Sequence, residues 1–471
     1  KKVWLLLVLF MFLVNVVSSA DVHFNVQSKF KENDKVKVIV SLKDSFKGNS
    51  LSTSELNFIN GYTKEVSLAE LEQLKKNPNV LEIYEEHIFE AVLNESVPLI
   101  NGSVGNYQVS DINLTGENYS VCVLDTGIDY DHTSLGTIIN VYDYINGDSD
   151  PDDDQGHGTH VAGIINSNHA TFKGVSPGVT ILNYKVCDEN KLSNEAAMLS
   201  AMQDCIDNKS VYNISAISMS IGGGSYGDYC DASYALLSNL TNVAVANNIS
   251  VVVSSGNLGD DNGISAPACL FNATSVGAST KSDEVWSSSN RDDFLDLLAP
   301  GVSILSTYIN NQFAISSGTS MSEPHVSGVI AIMQQFSVLN NGRELNVSEI
   351  ESALKNNGVN LTDAATGNNY TRIDVDDTLI ALDEFAPLLS LVAPLNNTTL
   401  NYNHSILFNY SAIDVFLDSV VYSLDGASNV SLTENIYLNL SEADHSIYLY
   451  ANDSKGNINF TWSNFSINMD L

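Results

Sequence analysis

Three short segments carry residue types that could act together on a carbonyl group. Residues 123–129 read as a buried strand that ends in Asp125-Thr126-Gly127. Enzymes built on parallel sheets place working groups at such carboxyl ends. Alone, an Asp-Thr-Gly also marks aspartic proteases and ordinary turns. Residues 156–163 set His157 between Gly156 and Gly158, at the start of a helix whose small residues allow close packing. A histidine there can take a proton from a hydroxyl near neutral pH. By itself it could equally make a structural hydrogen bond, and His157 with His160 as metal ligands lacks the glutamate of an HExxH motif. Residues 317–325 put Ser320 at a helix start behind a glycine-bearing turn. That geometry exposes the hydroxyl, and the helix N-terminus favours negative charge developing beside it. Taken singly, a serine at that position is an N-cap.

The elements that must position these residues follow from the apolar patterning. Across residues 94–384, β-branched runs (119–124, 180–186, 216–219, 249–254) alternate with helical segments (159–166, 194–207, 233–247, 321–336). This alternation predicts an α/β fold, a parallel sheet flanked by helices. Residues 21–93 predict a small α+β module: a strand over 36–42, a helix over 67–76 and strand character over 79–91. Ser67 and Glu70 stand in capping-box spacing at the helix start. Beyond Phe385 the helical periodicity ends. Short β-type runs at 405–410, 420–424, 435–440 and 446–451 predict a small all-β, Ig-like sandwich over 386–471.

The chain has 471 residues and a formal charge of −35. From residue 94 onward only ten Lys and Arg face 44 Asp and Glu, a net of −34. So acidic a surface repels nucleic acid and anionic lipid. Residues 1–20 have a basic start, an apolar run and small residues at 18–20, the layout of a secretory signal peptide. The apolar run is short for a hydrocarbon layer of ~30 Å, and no later stretch is long enough to cross one. The expectation is a protein exported and released, or held at the cell surface, that does not span the membrane once the signal is removed. Five cysteines in an exported chain permit disulfides but leave at least one unpaired. Cys122 sits in an apolar strand pattern and reads as a buried small hydrophobe.

Together the three segments resemble the subtilisin-like serine proteases. The order Asp, His, Ser is that of the subtilisins and differs from those of chymotrypsin and the α/β-hydrolases. The resemblance covers roughly residues 94–384 and extends weakly to 21–93. It implies a serine endopeptidase in which Ser320 attacks the peptide carbonyl, His157 accepts its proton and Asp125 orients the imidazole. Ser254-Ser255-Gly256-Asn257 matches the family segment that ends in the oxyanion-stabilising asparagine, which implies that role for Asn257. Ser220-Ile221-Gly222 resembles the segment that pairs with an extended substrate, with Ser254, Ser255 and Gly256 as the opposite wall. Backbone pairing of this kind tolerates many sequences, so protein and peptide substrates of broad range are expected.

The resemblance makes residues 21–93 a pro-segment, an intramolecular inhibitor and chaperone removed by self-cleavage near Val92 or Leu93. No cofactor is required for the chemistry. Some relatives bind structural calcium in the loop before the catalytic histidine, here the acidic run 143–154, which makes Asp143, Asp148, Asp150 and Asp152 candidate ligands. Ser134 stands where the family's strong N-terminal calcium site commonly has a carboxylate. Related cysteine-bearing members suggest the pairs Cys230–Cys269 and Cys187–Cys205. Glu323 departs from the small or neutral residue usual before the Pro-His pair. The alternative function is a catalytically silent surface protein that binds through this scaffold and its β-sandwich. It predicts a damaged triad or oxyanion segment, and the sequence shows neither.

Overall fold

In this computed structural model, the described residues are 21–22, 35–43, 55–56, 61–85, 88–91, 108–109, 112–170 and 173–470. The expected signal peptide and the expected cleavage point lie outside them. The chain divides into two compact units, one formed by Lys1–Ile88 with Asn194–Gln203 and one by the rest.

In the first unit, a five-stranded sheet runs in the order Asp21–Val22, Val80–Glu85, Lys35–Leu42, Gly61–Ser67, Glu55–Leu56. The helix Leu68–Lys75 begins with a full capping box. The backbone N–H of Glu70 donates to the Ser67 hydroxyl, and the Ser67 N–H donates to the Glu70 carboxylate at 2.9 Å. Each residue satisfies a donor that the helix end would otherwise leave open. Val38, Val40, Leu42, Val66, Leu71, Val80 and Ile83 form its core.

The second unit is organised by a nine-stranded sheet. Its order is Ile138–Asp143, Thr180–Lys185, Ser120–Asp125, Ile214–Met219, Ser250–Ser254, Thr274–Ser279, Leu297–Pro300, Asn369–Arg372 and Val359–Thr362. All neighbours pair in parallel except the last two, which are antiparallel. The sheet is therefore mixed at one edge rather than wholly parallel, because a short loop joins its last two strands and returns the chain beside itself. Ser120–Asp125 and Ile214–Met219 are buried at every position, as strands covered on both faces must be. The strand Ser120–Asp125 lies between two strands that follow it in sequence, and Asp125 is at its carboxyl end. Buried residues of the helices His157–Asn166 and Thr319–Asn341 enter one apolar cluster with this sheet.

After the helix Val375–Leu382 come a three-stranded sheet (Leu388–Ala393, Ile406–Ile413, Ile436–Leu438) and a five-stranded sheet dominated by Leu417–Leu424, Asp444–Asp453 and Ile458–Ile467. Both contribute to one core around Ile406, Phe408, Ile447, Leu449 and Phe465. Among the described residues, no helix is long and apolar enough to cross a membrane.

The structure corrects the cysteine reading. The disulfides are Cys122–Cys205 and Cys230–Cys269, with Cα separations of 6.5 and 5.4 Å, and Cys187 is free and buried. Burial of Cys122 in the central strand was foreseen, but a half-cystine and a free apolar thiol look alike in a strand pattern. Cys187 lies beyond the end of its own strand, with its N–H on the carbonyl of Asp125 at 3.0 Å and a bridge to Ser193. Burial, then the charge of Asp125, pushes its thiol well above the ordinary range, so it is held as the neutral form.

Candidate active site

Asp125 leaves the central strand at a topological switch point, and its carboxylate is buried. Its Oδ1 accepts from the N–H of Thr126 at 2.7 Å and meets Nδ1 of His157 at 2.6 Å. That contact makes Nδ1 the protonated nitrogen and leaves Nε2 as the basic one. His157 is itself fully buried at the first position of its helix. The two flanking glycines are both needed. Gly156 has φ 106°, and a Cβ on it would stand 2.3 Å from the Tyr308 ring; a Cβ on Gly158 would stand 2.1 Å from the carbonyl of Gly127.

The turn between Asp125 and His157 is held by residues that the sequence did not single out. Asp153, 6% exposed, accepts through Oδ1 from the Thr126 hydroxyl and from the N–H groups of Gln155 and Gly156. Through Oδ2 it accepts from the N–H and hydroxyl of Thr159. Thr126 Oγ1 in turn accepts from the N–H of Gly158 at 2.9 Å. The buried Lys185 ammonium donates to the carbonyls of Thr126 and Asp152 and pairs with Asp154 at 2.7 Å. An aspartate four residues before the histidine was visible in the sequence, but it lay inside a run read for calcium.

That run does other work. The Asp143 carboxylate, buried, accepts from the N–H groups of Ile145 and Asn146 and from the Asn146 side chain. Asp148 accepts from the N–H of Asp150, and Asp150 from the Tyr130 hydroxyl. Among the described residues, the one group of three such ligand atoms within 4.8 Å of each other is elsewhere, at Asp383, Asp414 and Asp453. Among the described residues, no three of the four loop aspartates bring side-chain oxygens within 4.8 Å of one another.

Ser320 is buried in the first turn of Thr319–Asn341, a helix that packs against the helix of His157. Its hydroxyl donates to the Ser220 carbonyl at 3.3 Å. The Asn257 Oδ1 accepts from the N–H of Thr319 at 2.9 Å, while its Nδ2 is buried and has no hydrogen-bond partner among the described residues. An amide donor left open beside the serine can serve an acceptor brought to it. Gly256 (φ 107°) donates its N–H to the Thr319 hydroxyl, and Asn290 accepts from the N–H groups of Leu258 and Asp260. These bonds fix the loop carrying Asn257; Asn290 was not foreseen, since no local motif marks it.

The expected substrate edge exists as a strand. Ile221–Tyr226 pairs antiparallel on one side with Ile264–Ala266 and on the other with Ile88–Ala91, in the register Ile221 to Ala91 and Gly222 to Glu90. Ser254 ends its sheet strand, and the Ser255 carbonyl accepts from the N–H of Ser265 at 2.8 Å.

Glu323 proves to be part of the site's foundation. It is fully buried, and its carboxyl accepts from the hydroxyls of Ser218 (2.7 Å), Ser220 (3.1 Å) and Ser327 (2.6 Å). The single Ser220 hydroxyl hydrogen is shared between Glu323 and the nearer Ser320 carbonyl, 2.8 Å away. Burial raises the Glu323 pKa from 4.5 to about 7; the three hydroxyls oppose the rise and the charge of Asp125 adds to it. The folded chain thus keeps a proton up to about pH 7 that the unfolded chain gives up near 4.5. Unfolding releases that proton between these values, so stability falls as pH rises through the window, by roughly 3 kcal/mol in all. Urea denaturation of the Glu323→Gln variant should therefore show a stability that gains on the parent by about that amount between pH 4 and 8. A difference that stays flat with pH would contradict this account. The other histidines of the motifs are structural: burial lowers His160 to about 3 and His325 to about 4, so both are neutral.

Known proteins carry the same pattern. Residues 116–372 match the subtilase family. The chain is 34% identical to a thermophilic serine proteinase of Bacillus sp. (strain AK1), over 56% of this chain and 62% of that protein. It is also 34% identical to the major intracellular serine protease of Bacillus subtilis (strain 168), over 59% and 88%, and 28% identical to subtilisin J of Geobacillus stearothermophilus, over 71% and 88%. A solved structure of a cold adapted subtilisin-like serine proteinase superposes with a TM-score of 0.50 at 26% identity, covering 60% of this chain and 94% of that one. The chain is a member of the subtilase family, and with it a serine-type endopeptidase.

Proposed function

We propose that Asp125, His157 and Ser320 are the catalytic triad of this protease, and that it is an exported enzyme made as a self-cleaving precursor. Ser320 Oγ attacks the scissile carbonyl while His157 Nε2 takes its proton; Asp125, on Nδ1, keeps the ring in that tautomer and stabilises the imidazolium. The carbonyl oxygen, now an anion, accepts from Asn257 Nδ2 and the backbone N–H of Ser320. His157 then returns the proton to the leaving amine, and water releases the acyl group by the same steps in reverse. The observation that carries this reading is the buried 2.6 Å contact of Asp125 with His157.

The substrate lies as an extended strand along Ile221 and Gly222, with Ser254, Ser255 and Gly256 opposite, held by backbone pairing that tolerates many sequences. Residues 21–93 act as the inhibitor and folding aid. The pairing of Glu90 and Ala91 with Gly222 and Ile221 supports this, since it sets the end of that segment on the substrate edge. Residues 386–471 form an Ig-like accessory module. Export to the cell exterior rests on the composition of residues 1–20 and the disulfides. A serine-directed phosphonate should label Ser320 of the matured protein and stop casein hydrolysis. Absence of labelling after residues 21–93 have been removed would sink the assignment.

A further inference from the structure

Three carboxylates far apart in sequence meet where the last helix of the protease region adjoins the two-sheet region. Asp383 caps the helix Val375–Leu382, Asp414 lies between Ile406–Ile413 and Leu417–Leu424, and Asp453 ends Asp444–Asp453. One oxygen from each lies within 4.8 Å of the others. Asp383 and Asp453 are each 1% exposed. The same corner joins the two regions by packing: Phe416 enters the core of the larger sheet and lies 5.9 Å, ring to ring, from Phe336.

The hydrogen bonds leave this cluster short of positive charge. Asp453 accepts from the N–H groups of Gly456 and Asn457 and from the Asn457 side chain. Asp414 accepts from the N–H of Phe416 at 2.7 Å. Asp383 Oδ1 accepts from Asn340 and from the N–H of Phe385. Its Oδ2 is buried and has no hydrogen-bond partner among the described residues. The nearby Lys455 ammonium donates to the carbonyl of Asp383, and among the described residues no Lys or Arg nitrogen lies within 4.0 Å of any of the three carboxylates. A buried carboxylate oxygen without a donor is costly, and three clustered carboxylates compound it.

We infer that Asp383, Asp414 and Asp453 hold a divalent cation, calcium, that clasps the two-sheet region to the end of the protease region. All-oxygen, carboxylate-rich surroundings select a hard cation, and the partly exposed Asp414 leaves room for the waters that complete six to eight ligands. The site does not depend on the catalytic assignment.

The test uses the full chain carrying Ser320→Ala, so that it does not digest itself, with calcium as the probe and magnesium as a control. With calcium at about a hundred times its dissociation constant, the melting temperature should rise by roughly 3 °C over the chelated protein. Adding Asp414→Asn should abolish that part of the rise and lower by one the number of calcium ions bound in equilibrium dialysis. Equal calcium counts and equal shifts with and without Asp414→Asn overturn the inference. Anomalous diffraction from crystals of the same Ser320→Ala chain grown in calcium gives a second reading that needs no change at the site. An anomalous peak among the three carboxylates supports the assignment, and its absence from crystals grown in saturating calcium defeats it.

Discussion

The Ser320→Ala chain is expected to remain uncut, keeping residues 21–93, and to hydrolyse casein more slowly by on the order of 10⁶, the size of effect known for the serine of a subtilisin. The substitution removes one oxygen whose recorded hydrogen bond is a 3.3 Å contact with the Ser220 carbonyl. The rest of the site is held by other atoms: Asn257 by the N–H of Thr319, and the Ser320 carbonyl by Ser220 Oγ. The fold should therefore be unchanged by circular dichroism while chemistry is lost. N-terminal sequencing of the purified chain separates self-cleavage from cutting by another protease. A mature N-terminus that still forms near Val92 or Leu93 in a purified preparation would show that the chain does not process itself.

Asn257→Ala should lower kcat by about 10²–10³ with KM nearly unchanged, again the magnitude established for such an amide in a subtilisin. The reason lies in the division of labour within one side chain. Oδ1 is occupied by Thr319, whereas Nδ2 has nothing to bind until an oxyanion forms. An interaction made only in the transition state changes turnover rather than substrate affinity. Steady-state kinetics on a peptide substrate decide it. A rise in KM at constant kcat would mean that Asn257 binds the ground state, and the oxyanion role would fall.

The parts of the fold legible in the sequence were those with local signatures. Ser120–Asp125 announced itself by an unbroken apolar run, and the helices of His157 and Ser320 by glycine and serine at their starts. Ser67 and Glu70 gave the helix Leu68–Lys75 its correct start. What stayed hidden depended on long-range partners. Cys122 and Cys205 are 83 residues apart, and nothing near either one distinguishes it from Cys187. In the acidic loop, counting carboxylates does not reveal that turn amides donate to Asp143 and Asp148. Asp383 in a helix cap, Asp414 in a loop and Asp453 at a strand end are far apart in sequence, so only the folded chain assembles them.

Pro324 sits inside the helix of Ser320 and has no N–H to give to the carbonyl four residues back. That carbonyl belongs to Ser320, and the hydroxyl of Ser220 takes the missing donor's place at 2.8 Å. The residue that closes the gap directly precedes the edge Ile221–Gly222, where an extended chain pairs. The Ser320 backbone is thereby tied, through one hydroxyl of a neighbouring segment, to the start of the strand Ile221–Tyr226, so a bond that a helix would supply from within comes from across the fold.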